Sequence, residues 1–377
     1  MHFSLFELLL LIGCTQGIIT SALLFMSKKN APSNKFLALG LLSFCLLSIK
    51  ILFNTLGLTQ ISHFRYIPIA TELVLAPLLY FYLVSLITPG FKLKPHFVLH
   101  FVPFLISQSY SFFVYFSVVG IMDIAEKDLV GNRWFFNEIK HYEDYVALIS
   151  IISYLIPAYF KLREYRKLLN ENSADCSYPD FTWLHNIMLL SAGLGLFLMV
   201  NLSLDLIFDL KYSNDLHWQA YFTYLAGLIY YLGFIGYKQP DFELPQVKLV
   251  NSRSVSNKLS DEKLQSIIEA LKHALEIDKV YLNPTISASD LAKRIKINQS
   301  HLSFIVNEYF KKSFRSLIND LRIDEVKRKL QQKDFSSSSM LAIALDCGFN
   351  SEASFYRIFK RTTRMSPKEY AENFQKD

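Results

Sequence analysis

The thirty residues 341–370, LAIALDCGFNSEASFYRIFKRTTRMSPKEY, decide the reading of this chain. Met340 to Cys347 has the composition of a short helix, with Ala344 small enough for close packing. Gly348 supplies a tight turn and Phe349 a core cap, and Phe355, Ile358 and Phe359 recur at the three- and four-residue spacing of one helix face. Two short helices across a tight turn are helix-turn-helix grammar. The pattern also occurs upstream: Asp290 to Ile295 with Ala292, a turn at Lys296 to Asn298, then a helix carrying Leu302, Ile305 and Val306. Between the two, residues 314–332 read as one helix, with Leu317, Ile318, Leu321, Val326 and Leu330 inward and a length of about 28 Å at 1.5 Å per residue. Successive turns of one DNA face are about 34 Å apart, so this spacer suits two second helices placed in adjacent major-groove segments.

The strings SASDLAKRIKINQSHLSFIVNEYFKKSFRSLINDLRIDEVKRKL (287–330) and I-A-x-x-x-G-F, F-x-R-x-F-K and S-P-x-x-Y within 341–370 carry a resemblance. Over about residues 276–375 the chain resembles the DNA-binding domain of AraC/XylS-type bacterial transcription regulators. That resemblance implies base-reading positions at Ser300, Ser303, Phe304 and Asn307 of the first unit and at Glu352, Ala353, Ser354 and Arg357 of the second. Arg357 is the strongest of these, because Arg grips guanine O6 and N7 with two hydrogen bonds. Phe304 departs from the arginine common in the family, and either touches a thymine methyl or packs. Lys311, Lys312, Arg315, Lys360, Arg361, Arg364 and Lys368 are candidates for phosphate contacts, with a solvated surface charge as the alternative for each. Lys311 and Arg364 stand where the family has glycine, so a left-handed cap there costs about 1 kcal/mol unless the turn is rebuilt. Val326 replaces the family's usual alanine.

Working outward, the charge is uneven. Residues 1–240 carry 31 Asp, Glu, Lys and Arg, whereas residues 241–377 carry 41 in little more than half the length. The formal net charge of +6 lies within residues 281–377, which hold 17 basic and 11 acidic side chains. The front of the chain is too poor in charge for an ordinary soluble domain, and both disorder and a single soluble core are excluded. Seven stretches meet or approach the roughly 20 apolar residues that span a bilayer: 3–26, 36–52, 66–87, 97–120, 145–160, 181–208 and 218–237. The first lacks a basic n-region and is too long for a signal peptide, so it is expected to stay in the mature protein. Loops 27–35, 88–96 and 161–180 hold nine Lys and Arg in 38 residues, and the alternate set 53–65, 121–144 and 209–217 five in 46. Positive charge favours the cytoplasmic side, which places the N-terminus outside a bacterial inner membrane and the C-terminal domain in the cytoplasm. Pro240, Pro245 and residues 251–257 read as a linker. Behind it an amphipathic helix capped by Ser260 (Leu264, Ile267, Ile268, Leu271, Leu275) packs on its own domain or on a second copy.

The expected fold is therefore all-α: a seven-helix transmembrane bundle (1–240), a linker with an amphipathic helix (241–275), and a domain of two helix-turn-helix units joined by a long helix (276–377). Glu7, Lys50, Glu72 and Asp205 are ionisable residues inside apolar spans near their outer ends, and suggest an outward vestibule. The bland reading is a Lys50–Glu72 ion pair with two carboxylates near headgroups. Trp134, Phe135 and Phe136 in the longest outer loop form either a lid or an interfacial anchor. His96 and His100 have the i,i+4 spacing of a helical metal pair but no third ligand, and Cys14, Cys45, Cys176 and Cys347 have no ligand spacing, so neither metal nor cofactor is expected. No Walker A, G-x-S-x-G or G-x-G-x-x-G occurs. The favoured function is a one-component regulator whose partners are lipid, promoter DNA, a small-molecule signal, a second copy, and RNA polymerase if it activates. The alternatives are a transporter or membrane enzyme with a DNA-binding tail, and a ligand-independent membrane tether for DNA.

Overall fold

A computed structural model describes residues 3–28, 31–88, 90–172, 182–208, 216–238, 261–331 and 339–374. Cys176, Phe181, the linker prolines and Ser260 lie outside the described residues. Helices dominate, and the described residues contain no β-strand. The chain divides into two compact units, Met1–Leu162 with Phe181–Leu244 and Arg163–Asp180 with Pro245–Asp377.

The first unit is built on α1 (Leu5–Met26), α2 (Ala31–Thr55), α3 (Leu75–Ile87), α4 (Val102–Val118), α5 (Ile124–Arg133), the part of α6 (Phe136–Asn172) up to Leu162, α7 (Thr182–Phe208) and α8 (Leu216–Lys238). Each of the seven apolar stretches contains a helix, and among the described residues five helices are long and apolar enough to cross a membrane: Leu5–Met26, Pro32–Thr55, Pro95–Val118, Phe136–Leu169 and Trp183–Phe208. The third stretch is shorter than its hydropathy implies. Tyr66 takes a left-handed φ of 62° and residues 67–71 are not helical, so the helix runs only over Glu72–Ile87. The fifth is longer, since α6 begins nine residues before the apolar run.

Small residues set the closest helix contacts. A Cβ on Gly17 would lie 2.5 Å from Cys45 Sγ and 2.7 Å from Ile229, and one on Gly13 would touch Ala226 at 3.5 Å, so α1 lies backbone-close to α2 and α8. Packing of this kind holds helices together where no hydrophobic drive exists between them. By contrast, the apolar windows of Pro95–Val118 and Phe136–Leu169 are only 17% buried, leaving long apolar faces outward. The loop between α4 and α6 is ordered by α5. Arg65 grips Asp128 through two hydrogen bonds of 2.9 and 2.7 Å, the Tyr66 hydroxyl donates to the same carboxylate, and the fully buried Lys127 donates to the Ser62 carbonyl at 2.6 Å.

The second unit has two cores strung on one helix, α12 (Phe314–Gln331). The first core joins the N-terminal half of α12 to α9 (Asp261–Glu276), α10 (Ala288–Arg294) and α11 (Gln299–Glu308). Ile267, Ile268, Leu271 and Leu275 of the amphipathic α9 are buried in it. The second core joins Ile323, Val326 and Leu330 to α13 (Met340–Asp346), α14 (Glu352–Thr363) and α15 (Pro367–Phe374). Ala292, Leu302, Ile305, Val306, Ala344, Phe349, Phe355, Ile358 and Phe359 are all buried, at the positions the periodicity assigns. At about 25 cal/mol per Å² of apolar surface, each fully buried Leu, Ile or Phe contributes on the order of 2 kcal/mol.

Arg322 couples the two cores. It is 1% exposed. Its Nε donates to the Tyr281 carbonyl at 2.7 Å and a terminal nitrogen to the Asn283 carbonyl at 2.8 Å, both from the first half, while its guanidinium lies 5.9 Å from the Phe349 ring of the second. Gly348 completes the join. Its φ is 87°, and a Cβ there would stand 2.7 and 2.8 Å from the Tyr281 and Leu282 carbonyls. Beside it, Glu325 accepts from Arg328, Lys279 and the Tyr281 hydroxyl, and the Arg328 hydrogen bonds hold its carboxyl down at about 2. The sequence places Leu321 in the buried row; it is only partly buried, and Ile323 is fully buried.

Candidate nucleic-acid interface

The second helix of each unit is positioned by its cap and its core face. In the first, Ser287 caps α10 by accepting from the Asp290 N–H at 3.1 Å, Lys296 turns the chain at φ 56°, and α11 starts at Gln299. In the second, Ser339 caps α13 by accepting from Ala342 N–H at 3.1 Å, and Ser351 caps α14 by accepting from Ser354 N–H at 3.3 Å. A Ser cap stabilises a helix by about 1 kcal/mol, which matters for helices this short.

With Phe355, Ile358 and Phe359 inward, α14 turns Glu352, Ala353, Tyr356, Arg357, Lys360 and Arg361 to solvent on one face. Tyr356 belongs to this face and was not among the sequence candidates. Its i+4 relation to Glu352 is the signal that could have found it. Ser354 lies on the other side, 8% exposed, so its side chain faces the domain interior. On α11, Ser300, Ser303 and Asn307 are half-buried, and Phe304 packs against the first core. That contact accounts for an apolar residue at this position.

A helix-turn-helix domain family matches residues 291–373. An uncharacterized HTH-type transcriptional regulator of Staphylococcus aureus strain MSSA476 is 30% identical over 112 residues, covering 30% of this chain and 14% of that protein. The melibiose operon regulatory protein of Escherichia coli K12 is 31% identical over 85 residues, 22% of this chain and 27% of its own length. The match thus spans well under a third of either relative. No solved structure matches the chain. The C-terminal domain is an AraC-type helix-turn-helix domain.

The charges around this AraC-type domain are of two kinds. Lys311 and Lys312 are exposed but engaged, with Glu308 at 3.0 Å and Asp320 at 2.6 Å, and Lys368 lies 3.9 Å from Glu372. Lys360, Arg361 and Arg364 are exposed at the end of α14, and Arg315 is half-buried. The turns at Lys311 and Arg364 are not rebuilt: both residues hold left-handed φ, 53° and 65°, and the Arg364 N–H closes α14 on the Lys360 carbonyl at 2.9 Å. Arg364→Gly is therefore expected to raise the unfolding free energy of the C-terminal domain by about 0.5–1 kcal/mol. If the side chain meets phosphate, the same variant also binds DNA more weakly, with a shallower salt dependence. Denaturant unfolding and a salt titration of DNA affinity read the two effects separately.

In the first unit, the four vestibule residues separate. Lys50 Nζ lies 2.6 Å from Glu72 Oε1, and both line one cavity. Glu7 instead closes a capping box with Ser4, accepting from the Ser4 N–H at 2.8 Å. Asp205 clasps α8, accepting from the Trp218 indole at 3.1 Å and pairing with His217 Nε2 at 2.9 Å. Asp144 lines the cavity with Lys50 and Glu72, and falls one residue outside the apolar run that the hydropathy marks. His96 and His100 lie in a 3₁₀ turn, Pro95–Phe101, not an α-helix. At three residues per turn an i,i+4 pair points about 120° apart, and His100 Nδ1 is taken by the Tyr154 hydroxyl at 2.7 Å. Among the described residues no three His, Cys, Asp or Glu form a metal cluster.

Proposed function

We infer that the protein is a membrane-embedded one-component transcription regulator. One polypeptide joins five helices long and apolar enough to cross a bilayer to an AraC-type helix-turn-helix domain, and this covalent joining carries the reading. The first unit sits in a bacterial inner membrane with its N-terminus outside and senses a signal. The second reads promoter DNA in the cytoplasm through α14 and α11. At 18 residues and 1.5 Å per residue, α12 spans about 27 Å, a separation that suits two helices entering successive major-groove segments of one duplex face. In this reading the signal reaches the DNA-binding domain through the chain itself.

The test compares the whole chain with residues 245–377 alone. The whole chain is expected to stay with vesicles through an alkaline carbonate wash, and its promoter occupancy to change with stimulus. The fragment should occupy the same promoters without responding. Release of the whole chain by carbonate, or a fragment that binds promoter DNA no better than a neutral control protein, overturns the reading.

A further inference from the structure

Within the first unit, a cavity of about 520 Å³ lies among α2, α3, α6, α7 and α8. That volume suits a small organic molecule. Most of its wall is apolar or aromatic, including Phe44, Leu83, Tyr154 and Phe222, and the charged groups gather at Lys50, Glu72 and Asp144.

One carboxyl group of the cavity has no cation paired with it. Lys50 is matched by Glu72 at 2.6 Å, Lys140 by Glu143 at 2.7 Å, and the Arg65 that also lines the cavity by the two-point contact with Asp128. Asp144 is left over. Among the described residues it has no hydrogen bond or ion pair, although it feels the charges of Glu72 and Lys50. Glu72 is also half satisfied: Oε1 accepts from Lys50, while Oε2 is buried with no hydrogen-bond partner. An acceptor left unmade in an apolar wall costs about 1–3 kcal/mol. The cavity wall thus carries one carboxyl group, that of Asp144, which no cation pairs, beside the closed Lys50–Glu72 ion pair.

We propose that this cavity is a ligand site for an amphipathic amine, an ammonium group on an apolar body, with the Asp144 carboxylate accepting from the ammonium and the aromatic wall enclosing the body. An ammonium carries both the donor and the positive charge that Asp144 lacks among its neighbours. A carboxylate ligand would set a second carboxyl group against Asp144, and a neutral alcohol could donate one hydrogen bond but bring no charge. The proposal deepens the regulatory reading above by naming the class of signal.

The experiment uses the full chain in lipid nanodiscs at neutral pH and equilibrium dialysis against three probes of matched apolar body: 4-phenylbutylamine, 4-phenylbutanol and 4-phenylbutyrate, with uptake by empty nanodiscs subtracted. The amine is expected to bind saturably, at least ten-fold tighter than the alcohol, and the acid not at all. Asp144→Asn, which removes the charge at constant size, is expected to bring the amine at least ten-fold down towards the alcohol, while Asp144→Glu keeps the preference. Equal binding of amine and alcohol, preference for the acid, or an amine affinity unchanged in Asp144→Asn overturns the proposal. Thermal melting of each variant separates a lost site from a lost fold. Carbonate retention and operator binding, read on the same preparations, report independently on the regulatory reading, so either conclusion can fall without the other.

Discussion

Arg322→Ala lowers the melting temperature of the 245–377 fragment by on the order of 15 °C and abolishes operator binding at 37 °C, although Arg322 is expected to touch no DNA. The side chain is almost wholly enclosed and donates to the carbonyls of Tyr281 and Asn283. Truncation leaves those carbonyls without their donor, at about 1–3 kcal/mol each, and opens a cavity between the cores. A loss of about 3 kcal/mol or more is a large fraction of the 5–15 kcal/mol that holds a typical domain, and each kcal/mol moves the melting point of a domain this size by about 4–8 °C. Arg322→Lys should fall between wild type and alanine, because an ammonium keeps the charge but loses the planar fork that serves two carbonyls at once. Differential scanning calorimetry of the three fragments checks the order. An alanine variant melting within a degree or two of wild type would remove Arg322 from its place as the link between the two halves.

Arg322 also marks where sequence reading stopped. The buried faces of α10, α11, α13 and α14 were legible, because apolar residues at three- and four-residue spacing have only one way to turn in a short helix. Arg322 was not singled out, because it stands among the charges Asp320, Asp324, Lys327 and Arg328. Yet it stands four residues after Ile318 and four before Val326, on the apolar row of α12, and that placement was the available signal. The first unit was legible in its helices but not in its cavity. Hydropathy found the apolar runs, but Asp144 precedes one of them and the break at Tyr66 interrupts another, so neither entered the vestibule assignment. The Lys50–Glu72 pair was readable because two opposite charges on neighbouring apolar spans have little else to bind. Glu7 and Asp205 had local partners, Ser4 in a capping box and the His217–Trp218 pair at the head of the next helix, and burial in an apolar span looked the same in sequence whether a carboxylate serves a cap or a cavity.

On α14, charge alone does not separate residues that read sequence from residues that only hold the duplex, and the separation is the second large effect. Arg357 and Arg361 are one helical turn apart on the exposed face, and Arg357 is nearer the N-terminus, the end that helix-turn-helix recognition helices present to base edges. Arg357→Ala is expected to cost about 1–3 kcal/mol on a selected operator, roughly ten- to a hundred-fold in affinity, while changing affinity for random duplex little, so that discrimination at one base pair collapses. Arg361→Ala should weaken selected and random DNA alike and reduce the slope of log affinity against log salt by about 0.9. The comparison requires both variants on both duplexes across a salt series, by fluorescence anisotropy. Were Arg357→Ala to lose selected and random DNA equally and flatten the salt slope, Arg357 would be a phosphate contact. The reading of sequence would then pass to Glu352, Ala353 and Tyr356 on the same face, where Glu352 accepts from cytosine N4 and Ala353 meets a thymine methyl.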